Sequence, residues 1–194
     1  MRLGREHLAR LEAAAASAAG SWRGGRLVEA LGALRDAAAD SALHSPGTGV
    51  ISPQAATLLG QALGRELTAP GAPHDQVFAA CAALARERRT GLFMLAPHVL
   101  TPLARKEPAS AVAAFDLAAS ADPDTAAALV IPLLEAARSD PEGLAAAVRE
   151  RRAAGWPRKC ESLLEILLGS LADRDPAQAR ALRAALRPEA GPLH

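Results

Sequence analysis

Acidic-proline steps recur in the second half of the chain at a spacing of 33–35 residues. Glu107-Pro108, Asp140-Pro141 and Asp175-Pro176 each precede a stretch with helical periodicity, and Asp122-Pro123 and Trp156-Pro157 precede further such stretches between them. Proline is tolerated at the first position of a helix, where its missing N–H costs no hydrogen bond. The spacing therefore predicts antiparallel helical hairpins, with helices at about residues 108–120, 124–138, 141–153, 158–173 and 176–187.

The apolar positions of two repeats match when Pro123 and Pro157 are placed in register. A helical hairpin of this length cannot bury its own apolar face, and it stacks on the next hairpin to do so. The pattern predicts a right-handed α-solenoid with HEAT-like repeats of about 33–35 residues. Such stacks usually bind other macromolecules, so the sequence favours a protein that is not an enzyme. The matched pairs are Leu129 with Leu163, Val130 with Leu164, Leu133 with Leu167, and Leu134 with Leu168.

The composition also favours helices. Half of the 194 residues are hydrophobic, most of them alanine and leucine, and aromatic residues make up only 3%. Alanine, leucine, arginine and glutamate favour helices, whereas strands prefer β-branched and aromatic residues. We therefore expect an all-α fold, with an N-terminal helical hairpin at residues 1–43 that continues into a helical-repeat domain at residues 44–194.

Apolar spacing predicts two helices before residue 44, at residues 3–19 and 26–43. Ser52 followed by Pro53 predicts the start of the next helix, because serine is a favoured N-cap and proline a favoured first residue. The stripes expected to face the core are Leu3, His7, Leu8 and Leu11 in the first helix, and Leu27, Leu31, Leu34 and Ala38 in the second.

Charge and cysteine usage limit the class of protein. The 22 basic and 21 acidic residues give a net charge of +1, which lacks the basic excess of most sequence-independent nucleic-acid binders. Cys81 and Cys160 lie within helical apolar patterns and are expected to be buried thiols in a reducing compartment. No run of 18 apolar residues occurs, so no membrane span is expected.

Catalytic and metal-binding motifs are not found in the sequence. The five histidines lack the spacing of zinc ligands, and no phosphate-binding loop follows a strand. We expect no cofactor, metal or small-molecule ligand, since no polar groups converge in the pattern. His98 is expected to be a half-buried histidine with a hydrogen-bond partner. Glu161 and Glu165 are expected on the solvated face of a leucine-striped helix.

Two arginine tetrads stand out, Arg86-Glu87-Arg88-Arg89 and Arg149-Glu150-Arg151-Arg152. Each is expected to close a helix, where cations complement the partial negative charge of the C-terminus. The alternative is a basic ridge that binds an acidic partner or a phosphate backbone. Further cations that would extend this ridge are Arg158, Lys159, Arg180, Arg183 and Arg187.

The last predicted helix carries Leu182 and Leu186 with no further helix to cover them. An open apolar end of this kind is a natural partner site, and the alternative is that Leu193 folds back over it. The candidate partner-binding residues are therefore Arg151, Arg152, Arg180, Leu182, Arg183, Leu186 and Arg187.

From about Val50 to Pro188, the order of helices and turns resembles the C-terminal helical-repeat domain of the Fanconi anaemia group E protein. The segments that carry the resemblance are Val50-Ile51-Ser52, Leu58–Leu63, Leu100–Leu103, Glu107-Pro108, Pro141-Glu142, Ala154-Gly155, the Leu163–Leu171 stripe, Gln178–Leu182 and Ala185–Pro188. The chain departs from the family near its end, where Pro192-Leu193 stands in place of an aromatic and basic tail helix.

The resemblance implies a non-catalytic adaptor in the Fanconi anaemia core complex, a ubiquitin ligase of nuclear DNA-crosslink repair. Its implied partners are the Fanconi group F subunit and the clamp protein that is monoubiquitinated. In the family, the contact with this substrate is associated with the C-terminal end of the solenoid. The sequence also allows an alternative function, in which a helical-repeat protein binds a nucleic-acid backbone through the basic ridge of arginines described above.

Overall fold

The computed structural model describes residues 4–68, 75–112, 130–156 and 158–187, and within these ranges the chain is all-α, as the composition predicts. Short 3-10 turns add to the helices, and one isolated antiparallel bridge joins His44 and Ile51. The helices are α1 (Arg5–Arg23), α2 (Leu27–Ala38), α3 (Pro53–Leu67), α4 (Asp75–Ala85), α5 (Ala96–Lys106), α6 (Val130–Ser139), α7 (Pro141–Ala153), α8 (Arg158–Arg174) and α9 (Pro176–Ala185).

The chain divides into two compact units, Met1–Pro102 and Leu103–His194, which we call the first and second unit. The division into a hairpin at residues 1–43 and a repeat domain at residues 44–194 stays a prediction. Of the helices predicted at about 108–120 and 124–138, residues 113–120 and 124–129 lie outside the described residues. There, the described part shows a 3-10 turn at Pro108–Ala111 and then α6.

In the first unit, α1 packs against α2 and α3. The face that α1 buries consists mainly of alanines, with Leu11 and Ala15 at 1% and 0% exposure. Leu8, expected in the core, is 36% exposed, and Leu27 of α2 is 44% exposed, so both of these predictions are wrong. Small side chains let the helix axes approach closely, and α1 buries a face on which Leu11 lies with three alanines.

Two glycines on α3 allow a close contact with the first turns of α5. A Cβ atom at Gly60 would lie 2.7 Å from the Cβ of His98 and 2.8 Å from the carbonyl oxygen of Leu95. One turn later, a Cβ atom at Gly64 would overlap the carbonyl oxygen of Val99. Because both glycines are buried, they make room for the backbone of another segment and do not serve a turn.

Three helices begin with an oxygen-bearing cap followed by proline, as the sequence predicts. The hydroxyl of Ser52 accepts a hydrogen bond from the Ala55 amide at 3.3 Å and so caps α3. Asp140 caps α7 by accepting from the Gly143 amide at 2.8 Å, and Asp175 caps α9 in the same way at 3.0 Å from its partner amide. These bonds satisfy amides that have no partner within the helix, so the predicted starts of α7 and α9 are confirmed.

Replacing Asp140 by alanine is expected to lower the free energy of unfolding by about 1 kcal/mol, because it removes the cap of α7. The measurement is a urea unfolding curve followed by circular dichroism. Asp173→Ala is the matched control, since Asp173 is exposed in the last turn of α8 and caps no helix. Equal stability of the two variants would show that the cap does not stabilise the fold.

In the second unit, α9 packs against α7 and α8, and α8 also packs against α6. The leucine stripe of α8 is buried as predicted, including Leu163, Leu164, Leu167 and Leu168. Their predicted counterparts on α6, Val130, Leu133 and Leu134, are also buried, whereas Leu129 lies outside the described residues. No helix in the described ranges is both long and apolar enough to cross a bilayer.

Candidate functional site

In the described part of the second unit, a cluster of charged residues lies where three helix ends meet. At the end of α7, Nε and Nη2 of Arg152 donate to the two carboxylate oxygens of Glu161 at 2.7 and 2.6 Å. This pair joins the C-terminal end of α7 to the N-terminal turn of α8. The hydrogen bond to Glu161 raises the pKa of Arg152, so the guanidinium is held in its charged form. Glu161 is therefore an ion-pair partner, and its side chain is still 45% exposed, which agrees with the solvated face expected for it and for the exposed Glu165.

A second contact brings the end of α9 to the same place. Nη1 of Arg149 donates a hydrogen bond to the carbonyl oxygen of Ala185, the last residue of α9. Cations near a helix C-terminus are favourable because the last carbonyl groups lack partners within the helix. We call the surface formed by residues 149–152, 158–161 and 183–187 the arginine end.

The arginine end carries seven cations and two glutamates, whereas the whole chain has a net charge of only +1. Some of these cations are held by the protein itself. Besides Arg149 and Arg152, Arg151 donates to the carbonyl oxygen of Gly155 at 3.2 Å. Three others, Arg158, Arg183 and Arg187, are exposed and form no hydrogen bond or ion pair with the residues that the structure describes. They are the cations most available to a ligand.

The remaining candidate residues fall into two groups. Arg180 is exposed, and its Nε donates to the carbonyl oxygen of Pro176 at 3.3 Å. Leu182 and Leu186 are 0% and 7% exposed in α9 and at its end. The interpretation of these two leucines as an open apolar surface is therefore wrong, because they belong to the core of the second unit. Leu193, the residue proposed to cover them, lies outside the described residues.

The first arginine tetrad lies in the other unit and differs in its setting. α4 ends at Ala85, so the tetrad follows the helix and does not form its last turn. Both carboxylate oxygens of Glu87 accept from Nη2 of Arg35 at 2.9 Å. This ion pair connects the tetrad to α2. The first tetrad thus belongs to the first unit, whereas the residues that define the arginine end belong to the second.

The described residues offer little for nucleophilic or metal chemistry. Burial raises the pKa of the Cys81 thiol to about 12, and its Sγ donates to the carbonyl oxygen of Ala96 at 3.3 Å. Cys160 is also a buried thiol, so the predicted burial of both cysteines is confirmed. A buried thiol of raised pKa holds almost no thiolate at neutral pH. No group of three metal-ligating side chains occurs in the described part of the chain.

His98 is the half-buried histidine that the sequence predicts. Its Nε2 lies 3.1 Å from the Thr57 hydroxyl, which itself donates to the carbonyl oxygen of Pro53 at 2.9 Å. Since the hydroxyl proton of Thr57 is used by Pro53, the histidine Nε2 acts as the donor. Burial lowers the pKa of His98, which favours the neutral ring. This arrangement is structural.

Comparisons with protein-family models, with curated proteins and with solved structures gave no match. The resemblance to the Fanconi anaemia group E domain therefore stays a prediction.

The sequence indicated the cations of the arginine end but not the contacts that hold it together. One signal for the Arg152–Glu161 pair was available in the sequence. Arg152 lies at the end of one predicted helix, and Glu161 follows nine residues later in the first turn of the next.

Proposed function

We propose that this chain is a non-catalytic adaptor, built as a right-handed α-solenoid of antiparallel hairpins, which binds an acidic protein surface through its arginine end. The observation that carries the proposal is the exposed set Arg158, Arg183 and Arg187 beside helix ends fixed by Arg149 and Arg152. Clustered cations on a rigid support attract and orient a partner of opposite charge.

A protein partner is favoured over nucleic acid by the number of available cations. Each phosphate neutralised changes the slope of log affinity against log salt by about 0.9. Three exposed arginines would give a slope of roughly −2.7 for duplex DNA, well short of that of proteins that make 6–10 phosphate contacts. The rest of the chain adds no basic excess, since its net charge is only +1 with the arginine end included.

The resemblance supplies the complex in which we propose that this adaptor acts. There the chain would bridge the Fanconi group F subunit to the monoubiquitinated clamp protein, in the nucleus, within a ubiquitin ligase of DNA-crosslink repair. The arginine end lies in the C-terminal part of the chain, which the family uses for its substrate contact. This correspondence supports assigning the clamp protein, and not the group F subunit, to the arginine end.

Substituting Arg158, Arg183 and Arg187 together by glutamine is expected to weaken binding of the acidic partner at least about tenfold, because charged contacts at an interface are lost. The tagged chain and the variant would be purified from the cells of origin at low salt, with partners quantified by mass spectrometry. The matched control replaces Arg5, Arg65 and Arg174, which are exposed and are not part of the arginine end.

Three outcomes separate the alternatives. Loss of the clamp protein with the arginine-end variant but not with the control would support the proposal and the family assignment. Recovery of other acidic proteins, lost in the same way, would keep the adaptor function and exclude the Fanconi complex. Recovery of nucleic acid alone, released as salt is raised, would replace the adaptor with the nucleic-acid alternative.

A further inference from the structure

A pocket of about 270 Å³ opens between α1, α2 and the 3-10 turn that follows α2 in the first unit. Alanine methyl groups form much of its wall, from Ala14 on α1 and from Ala33 and Ala37 on α2. Leu11 and Leu43, both buried, also line it. Pockets that enclose whole small molecules measure ~300–1,000 Å³, so this pocket suits a single long side chain.

The charges that line this pocket are unevenly neutralised. Each carboxylate oxygen of Asp40 accepts a hydrogen bond, one from the Ala42 amide at 3.0 Å and the other from the Arg10 guanidinium at 3.3 Å. Asp36, four residues earlier on α2, is exposed and has no ion-pair partner among the residues that the structure describes. One negative charge therefore stands beside the alanine wall without a cation of its own.

We propose that this pocket binds an arginine side chain presented by a protein partner. The methylene stem would contact the methyl groups of Ala14, Ala33 and Ala37, and the guanidinium would donate to the carboxylate of Asp36. A guanidinium suits the site better than an ammonium, because it is less strongly hydrated and keeps a planar, two-pronged pairing beside an apolar wall. The proposal is independent of the arginine end, which lies in the other unit.

N-acetyl-arginine amide is the probe that tests this proposal. Titrated into the isotope-labelled full-length chain, it is expected to shift the backbone amide resonances of residues 10–14 and 33–40 saturably, with a Kd on the order of 1 mM for so small a ligand. N-acetyl-citrulline amide has nearly the same shape without the charge, and it is expected to give no saturable shift.

Variants of the chain locate the site. Asp36→Asn is expected to weaken binding about tenfold, because a charge-assisted pair is lost. Ala33→Leu fills the pocket and is expected to abolish binding. Glu12→Gln is the matched control, since Glu12 is an exposed acid on α1 that does not line the pocket.

Two results would overturn the proposal: equal responses to the arginine and citrulline probes, or equal affinity of the Asp36→Asn and Glu12→Gln variants. Should Ala33→Leu disturb the packing of α1 and α2, as judged by circular dichroism, the comparison of Asp36→Asn with Glu12→Gln still decides. Both of these substitutions change an exposed side chain without changing its size.

Discussion

Replacing Gly64 by alanine is expected to lower the free energy of unfolding by about 3 kcal/mol, at the upper end of what overpacking usually costs. The added methyl group would overlap the carbonyl oxygen of Val99, and the ring of Pro102 lies 3.1 Å away on another side. Neither neighbour is the end of a flexible side chain, because one is helix backbone and the other a closed ring. Relief therefore requires α3 and α5 to separate, which would leave voids around buried residues.

Urea unfolding followed by circular dichroism measures this effect. Gly32→Ala is the control, because Gly32 lies in α2 and a Cβ atom there would have no neighbour within 4 Å. Its substitution is expected to stabilise the protein by about 0.5–1 kcal/mol, since alanine is the better helix former. If Gly64→Ala and Gly32→Ala have the same unfolding midpoint, the close contact between α3 and α5 does not exist in solution.

Leu167→Ala is expected to cost about 3 kcal/mol through the cavity that it leaves in the second unit. Leu167 is 0% exposed on the buried stripe of α8, so its side chain is surrounded on all sides by the protein. The same urea experiment measures the loss, with the slope of the unfolding transition showing whether the variant still unfolds in one step.

The neighbouring residue is a demanding control for this prediction. Ile166 is 52% exposed on the outer side of the same helix, and Ile166→Ala is expected to change the free energy of unfolding by less than about 0.5 kcal/mol. A larger loss for Ile166→Ala than for Leu167→Ala would mean that α8 is rotated by about one residue from the orientation described.

Much of the fold follows from signals that are local in the sequence. The alanine and leucine content indicates helices, and Ser52, Asp140 and Asp175 mark helix starts because each cap and its proline act within one turn. The stripe on α8 is likewise predictable, since four leucines at helical spacing leave one face to bury. Each of these signals depends on neighbours no more than a few residues away.

The errors concern contacts between segments far apart in the sequence. Leu8 is 36% exposed because α1 contacts α2 and α3 mainly through alanines, whose small side chains allow a close approach of the helices. The roles of Gly60 and Gly64 depend on α5, more than 30 residues away, and nothing local distinguishes them from other helical glycines. Leu182 is buried because α7 and α8 pack against α9, and both contacts join segments that the local pattern of α9 does not identify.

At the arginine end, the sequence identified the charged residues but not which of them form contacts within the protein and which remain exposed. Counting residues gives the cluster, but only the structure separates Arg149 and Arg152, which hold helix ends together, from Arg183 and Arg187, which remain exposed. A hydrogen bond to a backbone carbonyl, such as that of Ala185, cannot be predicted from composition or periodicity.

The placement of the two cysteines allows local opening of each unit to be measured on the native residues. Cys81 lies in the first unit and Cys160 in the second, and both thiols are buried. A thiol reagent reaches each of them only when the surrounding helices open, so the rate of modification at each site follows the local opening equilibrium. With a cysteine-to-alanine variant at either position, the same reaction would report the opening of each unit separately, with no cysteine introduced by mutation.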